Sequence, residues 1–458
     1  MELKDLILFP LYVLLFHIFF RWRRKRIEDP LLKKYHKQGF WIKVLGTLAF
    51  TIFYTKLSSG DSTDLYFAEG ANIAKMVWDD FSNIKWLFMP GRDFDQTLLI
   101  NPYNEGYFAS ESNFFVTRLV AILSFVSFNS YMVINLFFSM ISFSGVWKLY
   151  RFFYEQYPHL HKKLAIAILY LPTFVFWSSG ILKDPLCTGL LGWMTYSVYQ
   201  LLYKKQQILK NIFIAFFSGY IIGIVKSYIL VAYLPLFILF LVLSNFSLIK
   251  RASFRIAAFA GLILFSILGF FFISDKLQEE LGNLALDKLA ETVKNQQASF
   301  IDMADKAESS FSLGTDFDGT NRSLIKMAPA AVVATLFRPY LWESKKLSTL
   351  FSSLESLTLM IFTLYVFFRA GPLTFLVSIF KDPMVMFCFF FSVLFALFVG
   401  ATTLNFGTLV RYKIPCLPFY VIAMVLILEI SKRKKAGVKL EEASYKGNIN
   451  ESDLAEKV

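Results

Sequence analysis

Apolar residues in this chain fall in long runs separated by short polar breaks. Several runs reach the roughly 20 residues that cross a bilayer as a helix. Spans are expected at about 5–20, 40–56, 131–150, 163–179 and 186–203. Two more run from about 211 to a tight apex at Lys226 and back over 227–244, followed by one at 256–273. The last three lie at about 350–368, 383–400 and 412–430. The fold class is therefore all-α: a polytopic membrane protein of about 11 spans. A single transmembrane domain covers 1–430, and a basic then polar tail covers 431–458.

Basic residues orient the spans. The clusters Arg21–Arg26, Lys204–Lys210, Ile249–Arg255 and SKRKK of the tail sit in loops that alternate correctly for one face, the cytoplasmic one. The N-terminus is then outside and the C-terminus inside. Two outer loops result, at about 57–112 and 273–348. In the first, Tyr66, Phe67, Ala71, Ile73 and Ala74 suggest an amphipathic helix on the membrane surface. In the second, Leu277, Leu281, Leu284 and Leu289 share a face of a charged helix. The piece near 113–128 is short and carries Arg118, which suits a re-entrant or interfacial helix. The first span has no basic stretch before it and no small-residue cleavage site after it, so it reads as retained.

Five polar breaks then share the outer face: Gly60–Glu69, Trp177–Asp184, Lys226, Arg338–Glu343 and Asn405–Arg411. Four cations, Lys183, Lys226, Arg338 and Arg411, lie there against the positive-inside trend. They point to an anionic ligand such as a phosphate, or else to pairing with Asp184, Glu343 and Glu355 or to headgroup anchoring. In FWSSGILKDP, Asp184 before Pro185 reads as a helix cap, placing Lys183 at a positive helix end. Asp61 and Asp64, spaced i, i+3, are the candidate general bases, although GDSTD also suits Asp61 as an N-cap. Asp93 and Asp95 form a weak metal candidate, and a divalent metal is neither required nor excluded. Trp177, Tyr66 and Trp342 are candidate stacking surfaces for a sugar or a lipid groove. Ser179, Glu69, Asn405 and Tyr412 complete the candidate substrate contacts.

Composition adds exclusions. A net charge of +13 would suit nucleic acid, but the bases sit in short loops between spans and topology explains them better. Cys187, Cys388 and Cys416 have no metal-like spacing and lie in or beside apolar runs, so neither a disulfide framework nor a zinc site is expected.

GDSxDLY after an early span, FWSSGxxKD, FRPxxWE and GTxxRYxxPxxPF resemble motifs of bacterial membrane glycosyltransferases. The nearest groups are GT-C-type enzymes and polysaccharide polymerase-like proteins. The resemblance implies an inverting glycosyltransferase of the bacterial inner membrane, drawing on polyprenyl-(pyro)phosphate-linked sugars at the periplasmic face. It places the catalytic base on Asp61 or Asp64; the best-known mannosyltransferase pattern instead has an adjacent Asp-Glu pair in this loop. O-antigen ligases are similar in topology but use an outer-face His, whereas His17, His36, His159 and His161 fall in a span or on cytoplasmic loops. Two alternatives stand beside this reading: a transporter or flippase of lipid-linked saccharides, and a non-catalytic member of an envelope complex. A transporter should carry ionisable groups at mid-membrane, where this sequence shows almost none.

Overall fold

The computed structural model describes residues 3–101, 104–245, 294, 297–298, 311–314, 321–344 and 347–435. The expected span at 256–273, the charged helix with its leucine face and the polar end of the tail lie outside the described residues. What is described is helical, without a strand. It divides into two compact units, Met1–Leu230 and Val231–Val458.

In the first unit α1 (Leu3–Lys25) ends in Arg23, Arg24 and Lys25, cations that suit its negative dipole end. Asp29 caps α2 (Pro30–Ile52), accepting from Leu31 and Leu32 N–H at 2.7 and 3.3 Å, with Pro30 at the first helical position. This cap starts α2 ten residues before the expected span and puts Lys33, Lys34 and Lys37 on the helix. A π-helical turn, Phe53–Leu57, continues it. The helix α3 (Ala68–Asp79) exists as expected. Its apolar face, with Ile73, Ala74 and Val77, is buried in a protein core with Trp86, Phe108 and Phe114 rather than left for a membrane surface. After a short α4 (Glu105–Ala109), α5 (Glu111–Ser127) has the length foreseen for a non-spanning helix.

Two long helices centre this unit, α6 (Tyr131–Gln156) and, further on, α9 (Lys183–Tyr199). They approach so closely that a Cβ on Gly145 would lie 1.7 Å from the Gly189 carbonyl oxygen, and one on Gly192 2.0 Å from that of Gly145. Small residues let the backbones touch here. Between them the expected span 163–179 is broken into α7 (His161–Ala165), a π-helical turn (Ile166–Tyr170) and α8 (Pro172–Trp177). Pro172 accounts for the last break, because it disfavours helical backbone at Leu171. The two spans expected around Lys226 are two helices that meet at a kink, where Lys226 has non-helical backbone; together they are labelled α10 (Ile208–Asn245).

The second unit contains α11 (Asn321–Phe337), α12 (Leu347–Ala370), α13 (Pro372–Lys381), α14 (Pro383–Thr402), α15 (Phe406–Tyr412) and α16 (Leu417–Lys435). Its aromatic core joins Tyr233 to Phe387, Phe391 and Phe419. Close backbone approach recurs, since a Cβ on Gly400 would meet the Ala331 carbonyl oxygen at 2.1 Å. The expected last span is bent by 62° between α15 and α16.

Among the described residues six helices are long and apolar enough to cross a membrane, or seven if that bent pair counts as one span. Large apolar side chains are exposed along α1 and α12, for example Ile7 at 69% and Phe368 at 74%. Continuous faces of this kind suit lipid, not water. Four expected spans are not counted separately: 256–273 lies outside the described residues, 163–179 is broken at Pro172, α9 is only 17 residues long, and the two helices either side of the Lys226 kink count as one stretch.

The glycine contact is testable. Gly145→Val forces α6 and α9 apart and is expected to cost about 3 kcal/mol or more. Thermal unfolding in detergent should show a lowered Tm. Gly106→Val, at a site with nothing within 4 Å, should show far less.

Candidate functional site

The break at Ser178–Leu182 lies within the first unit, and α2 and α6 clasp it. Lys43 of α2, only 3% exposed, donates from Nζ to the Ser178 carbonyl at 2.6 Å, to Ser178 Oγ at 2.5 Å and to Ser142 Oγ at 3.1 Å. Asn135 of α6 accepts from Ile181 N–H at 2.8 Å and donates to Thr51 Oγ1 at 3.1 Å. Ser179 is buried, its Oγ donating to the Val175 carbonyl at 2.6 Å. A Cβ on Gly180 would meet the Phe50 ring at 2.1 Å, so only glycine fits. Ser179 is thereby part of the clasp rather than an open substrate contact. Lys43 is the residue that reading the sequence missed. Its signal was a single lysine inside an apolar span with serines in the segments that face it.

The lysines near the break divide into two roles. Helix α9 starts at Lys183 with Leu182 as its cap position, so Asp184 is not the cap. Its carboxylate instead meets Lys226 Nζ at 2.5 Å, with side-chain exposures of 0% and 4%. Lys226 is the residue at which α10 loses helical backbone (φ −153°, ψ 74°), and its side chain is buried. Lys183 is half-buried and donates to Ser112 Oγ at 2.7 Å.

The GDSTD segment winds as a π-helical turn, Asp61–Phe67, after Gly60, whose carbonyl accepts from Thr63 and Asp64 N–H at 3.1 and 2.8 Å. Gly60, not Asp61, takes the N-cap position of this turn. Half-buried Asp61 accepts from Tyr54 OH at 3.2 Å, whereas Asp64 is exposed and accepts from Thr63 Oγ1 at 2.7 Å. Tyr131, bonded to Ser62 at 2.8 Å, lies within electrostatic reach of both acids. The two ends of the site share one core: Phe50, Tyr54 and Tyr66 pack with Ile181, Leu182 and Leu186, and half-buried Trp177 lies against them.

Two other residues of this loop are structural. Tyr66 is buried, its OH donating to Asn113 Oδ1 at 3.1 Å and accepting from Tyr107 OH at 2.7 Å, so its ring is not a stacking surface. Glu69 is buried and accepts from Ile100 N–H at 3.1 Å and Asn101 N–H at 3.4 Å, latching the loop onto α3. Burial raises its pKa from the usual carboxylate range, against the lowering effect of those N–H bonds. Asp95 caps a local turn through Thr97, and Asp93 lies 3.9 Å from Arg92. No group of three or more metal-ligating side chains occurs among the described residues.

In the second unit Arg338 is committed internally. Its guanidinium forms a two-pronged pair with Glu343, donates to the Ser312 carbonyl at 2.8 Å and lies 4.5 Å from the Phe311 ring centre. Trp342 is 81% exposed and stacks on Tyr340 at 4.9 Å, which leaves its outer face open. Asn405 caps α15 by accepting from Gly407 N–H at 2.8 Å. Arg411 is half-buried over Tyr412 at 5.5 Å. Buried Lys413, also unforeseen, donates to the Arg338 carbonyl at 3.1 Å and to Ser356 Oγ at 2.9 Å.

Searches with protein-family models, curated proteins and solved structures find no match to this chain.

Two outcomes follow from these geometries. Asp184→Asn or Lys226→Gln alone leaves a buried charge unpaired and is expected to cost roughly 3–5 kcal/mol. Asp184→Leu with Lys226→Met should recover most of that loss, read as melting temperature in detergent. For Glu69 the sign is fixed by proton binding: a folded pKa above the unfolded one means the folded state binds more protons between the two. Stability contributed at Glu69 is full below the ordinary carboxylate pKa and declines as pH rises through the raised value. Glu69→Gln should flatten that part of the stability–pH curve.

Proposed function

We propose that this chain is a multi-pass inner-membrane enzyme that transfers or polymerises sugars from a polyprenyl-phosphate-linked donor at the periplasmic face. Topology in this reading has the N-terminus outside, the C-terminus inside and about 11 crossings. The observation that carries the proposal is the shared core under the Asp61 turn and the Lys183 end of α9, against which Trp177 packs. It gathers a half-buried carboxylate, a half-buried cation at a helix N-terminus and an aromatic face. Those are the groups sugar transfer from a phosphate needs.

Asp61 takes the proton of the acceptor hydroxyl as its oxygen bonds to the anomeric carbon. The bond from that carbon to the phosphate oxygen breaks, and the departing phosphate carries the electron pair. Lys183 and the first N–H groups of α9 stabilise that charge. Asp64, exposed on the same turn, is the second candidate base. Lys226 and Asp184 hold the α9 end in place instead of binding donor. Arg338 and Glu343 do the same in their own unit, where Arg411 beside Tyr412 is the candidate anion contact.

A transporter of the same lipid-linked saccharides remains the second reading. Buried Lys43 and the Lys226–Asp184 pair favour it, because they put charge inside long apolar helices where the sequence showed almost none. Proteoliposomes loaded with polyprenyl-phosphate-linked saccharides separate the two. The enzyme reading expects transfer that Asp61→Asn lowers about 100-fold or more and Lys183→Gln lowers about tenfold. Full transfer by both Asp61→Asn and Asp64→Asn would sink the base assignment. Movement of the saccharide lipid across the bilayer without transfer, unaffected by Asp61→Asn, would establish the transporter.

A further inference from the structure

At the opposite end of α2 from the Asp61 turn, the first unit holds a cavity of about 450 Å³. Its depth along α2 follows from the helix rise: His36, on its wall, is 17 residues from Phe53, or about 25 Å. The polar wall is strongly cationic. Arg23 and Arg26 come from the end of α1, Lys148 and Arg151 from α6, and among the described residues no acidic one lines the cavity. Arg26 lies 4.1 Å from the Trp22 ring centre, and Lys148 lies 4.9 and 4.6 Å from those of Trp193 and Tyr196. Aromatic faces hold these cations without cancelling their charge. Among the described residues Arg151 is the one of these four to form an ion pair, with Glu155 at 2.7 Å.

Two buried nitrogens on this wall have no hydrogen-bond partner among the described residues, His36 Nδ1 and Arg151 Nε. His36 is only 4% exposed, so its nitrogen is shut away from bulk water. Buried polar atoms are nearly always bonded, and a lone one calls for an explanation. The other wall is hydrocarbon and aromatic: Phe16, Phe20, Phe137, Met140 and Ile141. It continues into the exposed apolar face of α1, with Leu15 and Phe19. The volume lies in the range of small-ligand sites.

We propose that this cavity binds the phosphate headgroup of an anionic lipid, with the hydrocarbon tail leaving along α1. Phosphate oxygens meet Arg23, Arg26 and Lys148. The ligand chemistry, a phosphate ester, is shared by a lipid and by a free phosphate; the apolar wall selects the lipid. This site does not rest on the transferase reading and lies at the far end of α2 from it.

Native mass spectrometry of the full chain released from detergent tests the site, with dioleoyl phosphatidic acid and inorganic phosphate as probes. One phosphatidic acid should remain bound. Arg23→Gln with Arg26→Gln, both at exposed positions, should weaken it about 30-fold, at roughly 1 kcal/mol per basic residue. The charge-matched control Lys33→Gln with Lys162→Gln, also exposed but off the cavity, should change it less than about twofold. Equal loss in both variants would reduce the effect to net charge and overturn the site. Full displacement by millimolar inorganic phosphate would overturn the lipid assignment.

Discussion

Backbone that leaves the helix inside an apolar bundle must find partners for its N–H and C=O groups within the protein, since hydrocarbon offers none. In the first unit that constraint is met at Ser178–Leu182, and the surrounding helices are arranged around the solution. Lys43 and Asn135 reach in from α2 and α6, and Gly180 lets Phe50 close over the gap. Burying an ammonium costs several kcal/mol. Three hydrogen bonds to a charged donor return about 1.5–3 kcal/mol each. The two sides roughly balance, so the lysine is tolerable only while all three acceptors stay in place. That makes the register of α2 against α6 and the break a condition of the fold, not a consequence of it. Lys413 repeats the device in the second unit, fixing the Arg338 carbonyl while Glu343 fixes its guanidinium.

Charge is therefore spent unevenly. Of the four cations that stand out against the positive-inside trend, Lys226 and Arg338 are held in ion pairs with Asp184 and Glu343. Lys183 donates to a neutral hydroxyl, and Arg411 lies over a ring. Lys183 stands at the start of α9, where a helix N-terminus favours an anion, so it carries more of the argument for a phosphate than either of the paired residues.

The Asp-Pro dipeptide shows how far a sequence can be read. It occurs at Asp29–Pro30, Asp184–Pro185 and Asp382–Pro383. At the first and third, aspartate caps a helix whose first residue is the proline. At the second, the same letters sit inside a helix already begun at Lys183, because a lysine 42 residues away takes the carboxylate. Local chemistry was legible and a long-range pair was not. For the same reason the π-helical winding at Asp61 escaped notice: it depends on Gly60 and on contacts with Tyr54 and Tyr131, none of which sets a period in the chain. The all-helical class, α12 and α14 were readable because length and hydropathy specify them, whereas the bend between α15 and α16 was not. The buried lysines were not, since a lysine in an apolar run looks like an interruption until its acceptors are known.

Polarity along α2 ties the two candidate sites together. Tyr54, just past one end, meets the Asp61 carboxylate, the middle holds Lys43, and the other end adjoins Arg23, Arg26 and Lys148. A phosphate near Asp61 is repelled by the very group that would act as base. Binding there requires that Lys183 and the α9 N-terminus outweigh that repulsion, which a neutralised Lys226 cannot help them do. At the basic end no such conflict exists, since among the described residues no carboxylate lines the cavity. Phosphate affinity should accordingly be higher at the basic end than at the acidic end. A tight phosphate ligand at the basic end and a weakly held, reactive one beside Asp61 are what this distribution of charge favours.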